Sequence, residues 1–86
     1  MNLLFTESAW KDYVWFQEND RRLLKRINEL IRETKRTPFT GIGKPEPLKA
    51  NLRGCWSRRI NSEHRLVYQV AENVATIISC RFHYTK

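Results

Sequence analysis

The sequence has few of the residues that hold small secreted or metal-stabilised domains together. Its 86 residues include two cysteines, Cys55 and Cys80, with no Cys-X-X-Cys pair and no histidine at ligand spacing. Two thiols are too few for a disulfide scaffold, and a structural zinc site needs four clustered ligands. We therefore expect both cysteines to be reduced and to pack as small apolar side chains.

Long apolar runs are also missing. No stretch approaches the roughly 20 residues that span a bilayer, and the apolar opening at residues 1–5 lacks the length and positive start of a secretory signal. The sequence thus predicts a cytoplasmic protein without a membrane segment. A chain of 86 residues has room for one domain, 1–86, and 41% hydrophobic residues suffice for a modest core.

Motifs for nucleotide or metal chemistry are absent too. Residues 41–44, Gly-Ile-Gly-Lys, lack the spacing of a phosphate-binding loop and have no Ser or Thr after the lysine. A divalent metal needs clustered carboxylates, whereas the second half of the chain offers only separate glutamates: Glu46, Glu63 and Glu72. We expect no cofactor and no metal site.

Positive charge is what the sequence has in excess, with a formal net charge of +7. Residues 1–34 hold six basic and six acidic side chains, residues 35–65 hold eight and two, and residues 66–86 hold two and one. A solvated helix surface mixes both signs, as the first third does. A surplus confined to the middle third indicates a binding surface for a polyanion, such as nucleic acid or an acidic protein.

Periodicity predicts a short strand at residues 3–5 followed by two helices. Thr6 or Ser8 can cap the first helix, which is expected to run to about Glu18, and Asp20 can cap the second. Along the second helix, apolar residues recur at i, i+4, i+7 and i+8 and form one stripe: Leu23, Leu24, Ile27, Leu30, Ile31 and Thr34. The charged side of this helix is expected to be solvated.

The second half of the chain is predicted to be a loop followed by β-strands. Prolines and glycines over residues 35–48 predict a shaped loop without regular structure. Three strands follow, over residues 55–60, 65–70 and 74 to about 84, and the short turns between them imply antiparallel neighbours. The whole chain therefore predicts an α+β fold in which two N-terminal helices pack on a mainly antiparallel sheet.

The last turn suggests a register in which Val70 pairs with Val74. Because side chains alternate along a strand, this register places Arg65, Arg81 and His83 on one face. The other face then carries an apolar set: Leu66, Tyr68, Thr76, Ile78, Cys80 and Phe82. We expect the apolar face to cover the helices, and a shift of one residue would reverse the assignment.

These residues fit a metal-free cleavage of RNA in which the 2′-hydroxyl attacks the adjacent phosphorus. The reaction needs a base, cations for the extra negative charge and an acid for the departing 5′ oxygen. Glu46, which has basic neighbours in sequence, is the candidate base, and His83, less favourably His64, is the candidate acid. The candidates for holding the phosphate are Arg59, Arg65 and Lys49.

Each candidate also has a structural explanation. Glu46 in a proline-rich loop is compatible with a solvated turn residue, and His64 with a hydrogen bond inside its own turn. His83 is compatible with a frayed strand end, and Tyr84 with edge packing. Trp56 can either stack on an unpaired base or belong to the core. From spacing alone, a non-catalytic RNA- or DNA-binding module stays open as an alternative.

A resemblance to a known family covers the chain from end to end. The sequence resembles the YoeB/Txe-type toxins of bacterial type II toxin–antitoxin systems, within the RelE superfamily. The resemblance rests on five blocks in order, which together are far more specific than any one of them: Lys25 to Ile31, Gly43 to Lys49, Trp56 to Ile60, Glu63 to Tyr68 and Cys80 to Tyr84.

This resemblance implies a RelE-like fold, cleavage of mRNA in the ribosomal A site, and no cofactor. It gives Glu46 the role of general base, His83 that of general acid and Arg65 that of stabilising the strained phosphate. It adds Tyr84 as a further active-site residue. It also implies two residues that contact RNA: Lys49 and Arg59.

The partners implied by the resemblance are a second copy of the chain in a homodimer, a cognate YefM-like antitoxin, and the 70S ribosome with its mRNA. The basic middle third suits both RNA and an acidic antitoxin segment that covers the active surface. Family members tend to end at the His-Tyr pair, whereas Thr85 and Lys86 follow it here. A third possibility is a toxin retained only for antitoxin binding and operator control.

Overall fold

The computed structural model describes residues 1–82, and His83 to Lys86 lie outside the described residues. The helices are α1, Glu7–Asn19, and α2, Arg21–Arg36, and a single turn of 3-10 helix covers Ala50–Leu52. The strands are β1, Asn2–Phe5; β2, Glu46–Pro47; β3, Trp56–Arg59; β4, Arg65–Ala71; and β5, Val74–Ser79. Over residues 1–82, no helix is long and apolar enough to cross a membrane.

The strands form one sheet in the order β1-β5-β4-β3-β2. β1 runs parallel to β5, and the remaining neighbours are antiparallel. Both helices contribute buried side chains to the core on one side of this sheet. The predicted α+β architecture, two N-terminal helices on a mainly antiparallel sheet, is confirmed.

Side-chain caps begin both helices. Thr6 Oγ1 accepts a hydrogen bond from the Ala9 N–H at 3.0 Å, and Asp20 Oδ1 accepts one from the Leu23 N–H at 3.1 Å. The Asp20 N–H also donates to the Phe16 carbonyl at 2.8 Å, so the residue that caps α2 also terminates α1. Both caps are among the predicted ones, and Asp20 alone separates the two helices, so the chain turns sharply at this residue.

The core confirms the apolar stripe of α2. Its residues Ile27, Leu30, Ile31 and Thr34 are buried, and they pack with residues of α1 and of the sheet: Ala9, Phe16, Leu66, Tyr68 and Ile77. Burying such a side chain contributes roughly 1.5–3 kcal/mol, so this interface holds the helices on the sheet. The sheet surface that faces the helices is called the helix face below.

The β4–β5 hairpin is offset by one residue from the prediction. Val74 pairs with Ala71 rather than with Val70. The turn explains the offset. Glu72 and Asn73 have φ values of 52° and 64°, which is typical of a two-residue type I′ turn, whose twist matches that of the flanking strands. The predicted core positions in β5 were therefore wrong, since the buried residues are Ala75 and Ile77, while Thr76 and Ile78 are half-buried.

A bulge then changes the alternation near the end of β5. Tyr68 pairs with Ile77 but Val67 pairs with Ser79, so Ile78 is an extra residue on its strand. The strand ends at Ser79 and does not continue through Phe82 as predicted. Phe82 adopts a φ of 63° and is 53% exposed, so its predicted place in the core was also wrong.

The predicted loop is confirmed between α2 and β2. At its end, however, Glu46 and Pro47 form a short edge strand instead of loop. Glu46 pairs with Ser57, and Pro47 pairs with Trp56. A proline is tolerated at an edge because it has no N–H to offer a further strand. The backbone of Glu46 is therefore fixed by the sheet.

Candidate active site

The cross-strand pairs assign the residues of β3 to the two sides of the sheet. Arg58 pairs with Leu66, which lies fully buried in the core on the helix face. Because side chains alternate along a strand, Ser57 and Arg59 point to the opposite side, which we call the open face.

The register brings three of the predicted site residues onto the open face. Glu46 pairs with Ser57, and Arg59 pairs with Arg65, so all three charged side chains stand on the same side of the sheet. From the spacing of strands and residues, the Cα atom of Glu46 lies about 8 Å from that of Arg59 and about 12 Å from that of Arg65. Side chains of this length can meet around one phosphodiester.

The floor between these charged residues is made of short side chains. Ser57 pairs with Glu46 on one side and with Val67 on the other. Ser57 and Val67 are only 3% and 2% exposed. A carboxylate at one end and two guanidinium groups at the other therefore surround a closely packed floor.

The Arg65 guanidinium is oriented by the turn before β4. Its Nη1 donates to the carbonyl of Asn61 at 2.7 Å and to that of His64 at 3.1 Å. Within residues 1–82, Nη1 is the only guanidinium nitrogen of Arg65 that makes a hydrogen bond. The group is held in place by one nitrogen, while Nε and Nη2 can donate to an anion in the fork geometry that suits phosphate.

The Glu46 carboxylate is exposed on its edge strand. None of the ion pairs found in the described part of the chain involves Glu46. The basic side chains that were expected around it therefore do not hold it in a salt bridge there. Lys49, the predicted RNA contact, is exposed and precedes the 3-10 turn three residues after Glu46.

Arg58 is a residue that the sequence analysis missed. It is fully buried, and its guanidinium donates to the carbonyls of Ile42 at 2.8 Å, Thr37 at 2.6 Å and Thr40 at 2.9 Å. Its Nε also donates to the Tyr68 hydroxyl at 3.2 Å. The loop before β2 is thus wrapped around one arginine, which donates to three of the loop's carbonyls.

The same loop is attached to β3 at Gly43. The Arg59 N–H donates to the Gly43 carbonyl at 2.6 Å. Gly43 has a φ of 84°, and a Cβ placed there would lie 2.8 Å from the Leu30 Cδ2, so only glycine fits. These contacts fix the chain that leads into Glu46. Strand alternation could have identified Arg58, because the residue before an outward Arg59 must point inward.

His64 is buried rather than available to a substrate. The residue is 6% exposed, and its Nδ1 accepts a hydrogen bond from the Phe82 N–H at 2.7 Å. The ring also packs edge-on against Phe16, with centroids 5.2 Å apart. The backbone of His64 bonds within its own turn, as predicted for the residue, but its imidazole instead holds the segment after β5.

Arg81 does not stand beside Arg65 as predicted. Its guanidinium carbon lies 3.6 Å from the ring centroid of Trp15 in α1, and its buried Nε makes no hydrogen bond to any of residues 1–82. The bulge and the end of β5 explain the difference, since the alternation stops at Ser79. His83 and Tyr84, the predicted acid and its neighbour, lie outside the described residues.

Trp56 packs against the core and against Phe39. The two ring centroids are 4.7 Å apart, and Phe39 is 45% exposed. Trp56 is half-buried and pairs with Tyr68 on the helix face. Of the two explanations offered for Trp56, the core position fits this packing.

Charges on α2 are arranged differently from those on the open face. Arg36 pairs with Glu33 at 2.9 Å, and Arg26 lies 4.0 Å from Glu29. The pKa of Glu33 is lowered chiefly by the hydrogen bond from Arg36 and then by that from Thr37. In the described part of the chain, no group of three His, Cys, Asp or Glu residues could hold a metal ion.

Comparison with known proteins places this arrangement in a family. The model of the family described as "YoeB-like toxin of bacterial type II toxin-antitoxin system" matches residues 5–84. Toxin YoeB of Synechocystis is 67% identical over 86 residues, covering 100% of both chains.

Solved structures agree with the sequence match. A YoeB/ParE toxin from Agrobacterium tumefaciens superposes with a TM-score of 0.95 at 53% identity and covers 98% of this chain and 100% of that one. A YoeB dimer and a heterotetrameric YoeB–YefM toxin–antitoxin complex, both from Staphylococcus aureus, each give 0.90 at 52% identity and cover 98% of both chains. The chain belongs to the YoeB-like toxins of bacterial type II toxin–antitoxin systems.

Proposed function

We propose that this chain is a ribosome-dependent endoribonuclease that cleaves mRNA in the ribosomal A site without a metal ion and so inhibits translation. The observation that supports it most is the shared position of Glu46, Arg59 and Arg65 on the open face. Membership of the toxin family supports a growth-inhibiting activity for the chain. The site would lie in the cytoplasm, where ribosomes translate mRNA.

The proposed reaction is a transesterification. Glu46 accepts the proton of a 2′-hydroxyl as its oxygen bonds to the adjacent phosphorus, and the bond from phosphorus to the 5′ oxygen breaks. The products are a 2′,3′-cyclic phosphate and a 5′-hydroxyl, so one proton moves from the 2′ oxygen to the 5′ oxygen and no water is consumed. General acid–base catalysis of this kind contributes about 10²–10⁴-fold.

Arg65 and Arg59 would stabilise the charge that builds up on the phosphate. Preorganised donors are most effective when they do not have to reorient during the reaction. The fixed Nη1 of Arg65 meets this requirement, because the bonds to Asn61 and His64 hold the group before a substrate arrives. The resemblance gives the remaining roles to His83 as the acid, Tyr84 as a further active-site residue and Lys49 as an RNA contact.

The partners of this chain are proposed from its relatives. The Staphylococcus aureus proteins include a YoeB dimer and a YoeB–YefM complex. We expect this chain to form a homodimer and to be neutralised by a YefM-like antitoxin. A net charge of +7 favours both an acidic antitoxin segment and the RNA of the 70S ribosome, so the antitoxin would inhibit by covering the surface that RNA uses.

The test uses purified protein and 70S complexes that hold a defined mRNA with one codon in the A site. We expect new mRNA ends within that codon, and about 10²–10⁴-fold slower cleavage by Glu46→Gln. Glu72→Gln is the matched control, because Glu72 is an exposed glutamate in the β4–β5 turn. The absence of new ends with the wild-type protein, or equal rates for both variants, would contradict the proposal.

A non-catalytic nucleic-acid-binding module is the second candidate, favoured by the charge surplus of residues 35–65. It predicts tight, salt-sensitive RNA binding that Glu46→Gln leaves unchanged, and no cleavage by any variant. Measuring mRNA cleavage by the wild type and by Glu46→Gln therefore distinguishes the two candidates.

A further inference from the structure

We propose that the outward side of α2 is a second RNA-binding surface, which docks on the phosphate backbone of double-stranded RNA such as the paired segments of ribosomal RNA. The surface consists of four cations, which we call the basic row: Arg21, Lys25, Arg32 and Arg36. The inference goes beyond the proposed function, because the basic row lies on the other side of the molecule from the open face and binds RNA without cleaving it.

The basic row follows helical spacing. Its members stand at i, i+4, i+11 and i+15, which places them within an arc of about 60° and along about 22 Å of the helix. The middle of this arc lies about 160° around the helix axis from the middle of the buried stripe of α2. Since that stripe packs on the helix face of the sheet, the basic row points away from the sheet, and the core separates it from the open face.

Charge is separated between the two helices. α2 carries seven basic and two acidic side chains, a net charge of +5, whereas α1 carries one basic and three acidic ones, a net charge of −2. The balance of six against six over residues 1–34 conceals this separation.

The side chains of the basic row are available to a ligand. All four are exposed, and within the described residues only Arg36 among them forms an ion pair, with Glu33. The side chains of Arg21, Lys25 and Arg32 make no hydrogen bond to any of residues 1–82. Their donors can therefore bind phosphate oxygens without breaking a contact of the fold.

The basic row does not stabilise α2. Arg21 begins the helix, and the first turn holds no acidic residue, so this cation stands at the positive end of the helix dipole. Arg21 is also four residues from Lys25, and Arg32 is four residues from Arg36, a spacing at which like charges repel. Exposed residues that lower the stability of their own helix are typical of a functional surface.

A polyanionic backbone fits the basic row better than a protein partner does. Three of its four members are arginines, whose planar forks suit phosphate oxygens, and its arc contains no apolar side chain that would anchor a protein. A second copy of the chain presenting the same row would be repelled. A straight row of cations can contact successive phosphates of a duplex and needs no unpaired base, unlike the site on the open face.

The test measures binding of the purified protein to a labelled, blunt-ended RNA duplex at several salt concentrations. We expect Lys25→Gln to reduce the steepness of log K against log salt by about one, and the double variant of Lys25→Gln and Arg32→Gln to reduce it by about two. Lys11→Gln is the matched control, because Lys11 is an exposed lysine of α1 and its loss changes the net charge equally. The control should leave the steepness unchanged.

Two results of this titration would overturn the inference. One is an equal steepness for Lys25→Gln and Lys11→Gln. The other is a loss of binding by Lys25→Gln that is larger for poly-glutamate, or for a DNA duplex of the same sequence, than for the RNA duplex. That result would assign the basic row to an acidic protein or to DNA.

Arg21→Glu separates binding from a structural role. The glutamate should raise the melting temperature by about 2–4 °C, since an acid suits the first turn and attracts Lys25. The same variant should bind the RNA duplex about tenfold more weakly at about 0.1 M salt. A lower melting temperature with unchanged duplex binding would show that Arg21 serves the fold and would contradict the inference.

On the ribosome, the basic row should affect docking and leave the chemical step unchanged. We expect the double variant to raise the protein concentration for half-maximal cleavage of ribosome-bound mRNA by about tenfold, with a maximal rate within about twofold of wild type. Glu46→Gln should lower the maximal rate instead. If the wild-type protein does not cleave, the proposed function fails, and the duplex titration still decides the inference. An unchanged half-maximal concentration for the double variant would contradict docking on ribosomal RNA.

Discussion

Two neighbouring arginines of β3 show how the two faces of the sheet differ. Arg58 points to the helix face, is fully buried and donates to three loop carbonyls and one hydroxyl. Arg59 points to the open face, is exposed, and its side chain makes no hydrogen bond within residues 1–82. An arginine on the helix face thus stabilises the fold, whereas the arginine next to it on the open face is available to bind a ligand.

The comparison extends to the other charged residues. Glu33 on α2 is paired with Arg36, whereas Glu46 on the open face has no ion pair within the described residues. Polar groups that are already satisfied stabilise the fold, and those without partners can contribute to binding or reaction. Substitutions on the two faces should therefore separate stability from activity.

The largest effect is expected for Arg58→Met. The change removes the four hydrogen bonds that a fully buried guanidinium makes to the loop and to Tyr68, so we expect a loss of about 3–5 kcal/mol in the free energy of unfolding. Urea denaturation measures it. Arg22→Met, on the exposed side of α2, is the control and should change stability by less than about 0.5 kcal/mol. Equal stability of the two variants would mean that the buried network contributes nothing.

Arg65→Gln should affect activity far more than stability. Loss of a preorganised cation at the phosphate is expected to slow single-turnover cleavage of ribosome-bound mRNA about 10²–10³-fold. The free energy of unfolding should fall by only about 1 kcal/mol, since the variant loses the two hydrogen bonds of Nη1 at a half-buried site. A large loss of stability with an unchanged cleavage rate would show that Arg65 stabilises the fold and does not act in cleavage.

Arg59→Gln should have a smaller effect, and mainly on RNA binding. Removing one phosphate contact lowers the slope of log K against log salt by about one. Stability should stay within about 0.5 kcal/mol of wild type, because Arg59 contributes only backbone hydrogen bonds to the described structure. Titration of labelled RNA at several salt concentrations measures the slope, and an unchanged slope would exclude the contact.

The smallest effect concerns the thiols. Burial, and then the nearby charge of Asp12, raises the pKa of Cys80 to about 12, and burial also raises the pKa of Cys55. Burial disfavours the thiolate of Cys80 at pH 8, so iodoacetamide should leave Cys80 unmodified while the protein is folded and should label the less buried Cys55 first. Mass spectrometry of digested protein measures this. Rapid labelling of Cys80 would show that the packing between the helices and the sheet opens in the folded protein.

The same pKa predicts how stability depends on pH. A folded-state pKa raised above the ordinary thiol value of about 8.5 means that the contribution of Cys80 is complete below that pH. It should be lost progressively as the pH rises toward 12. Cys80→Ala should flatten this part of the stability curve, and an unchanged alkaline decline would assign it to other groups.

The helices were predictable because their signals are local. Thr6 and Asp20 cap them within a few residues, and the α2 stripe follows directly from helical spacing. The hairpin register was not predictable in the same way, because neither Glu72 nor Asn73 is the glycine that usually marks such a turn. The bulge at Ile78 likewise has no local signature.

The candidate site depends on contacts that are distant in sequence. Glu46, Arg59 and Arg65 share a face only because β2, β3 and β4 pair in one particular register. Composition and strand alternation indicated the basic surface and the residue types. Residue chemistry named Glu46 and His83 as the candidate base and acid, and the family resemblance sharpened these roles and added Tyr84. The roles of His83 and Tyr84 stay predictions outside the described residues.

The most direct test of the open-face site is cleavage of a ribosome-bound mRNA with a single 2′-deoxynucleotide on the 5′ side of the scissile phosphate. We expect cleavage at that linkage to stop, since the nucleophile is missing, while the unmodified message yields a 2′,3′-cyclic phosphate and a 5′-hydroxyl. Cleavage of the deoxy-substituted linkage at the rate of the unmodified one would contradict transesterification by Glu46 and the open-face arginines.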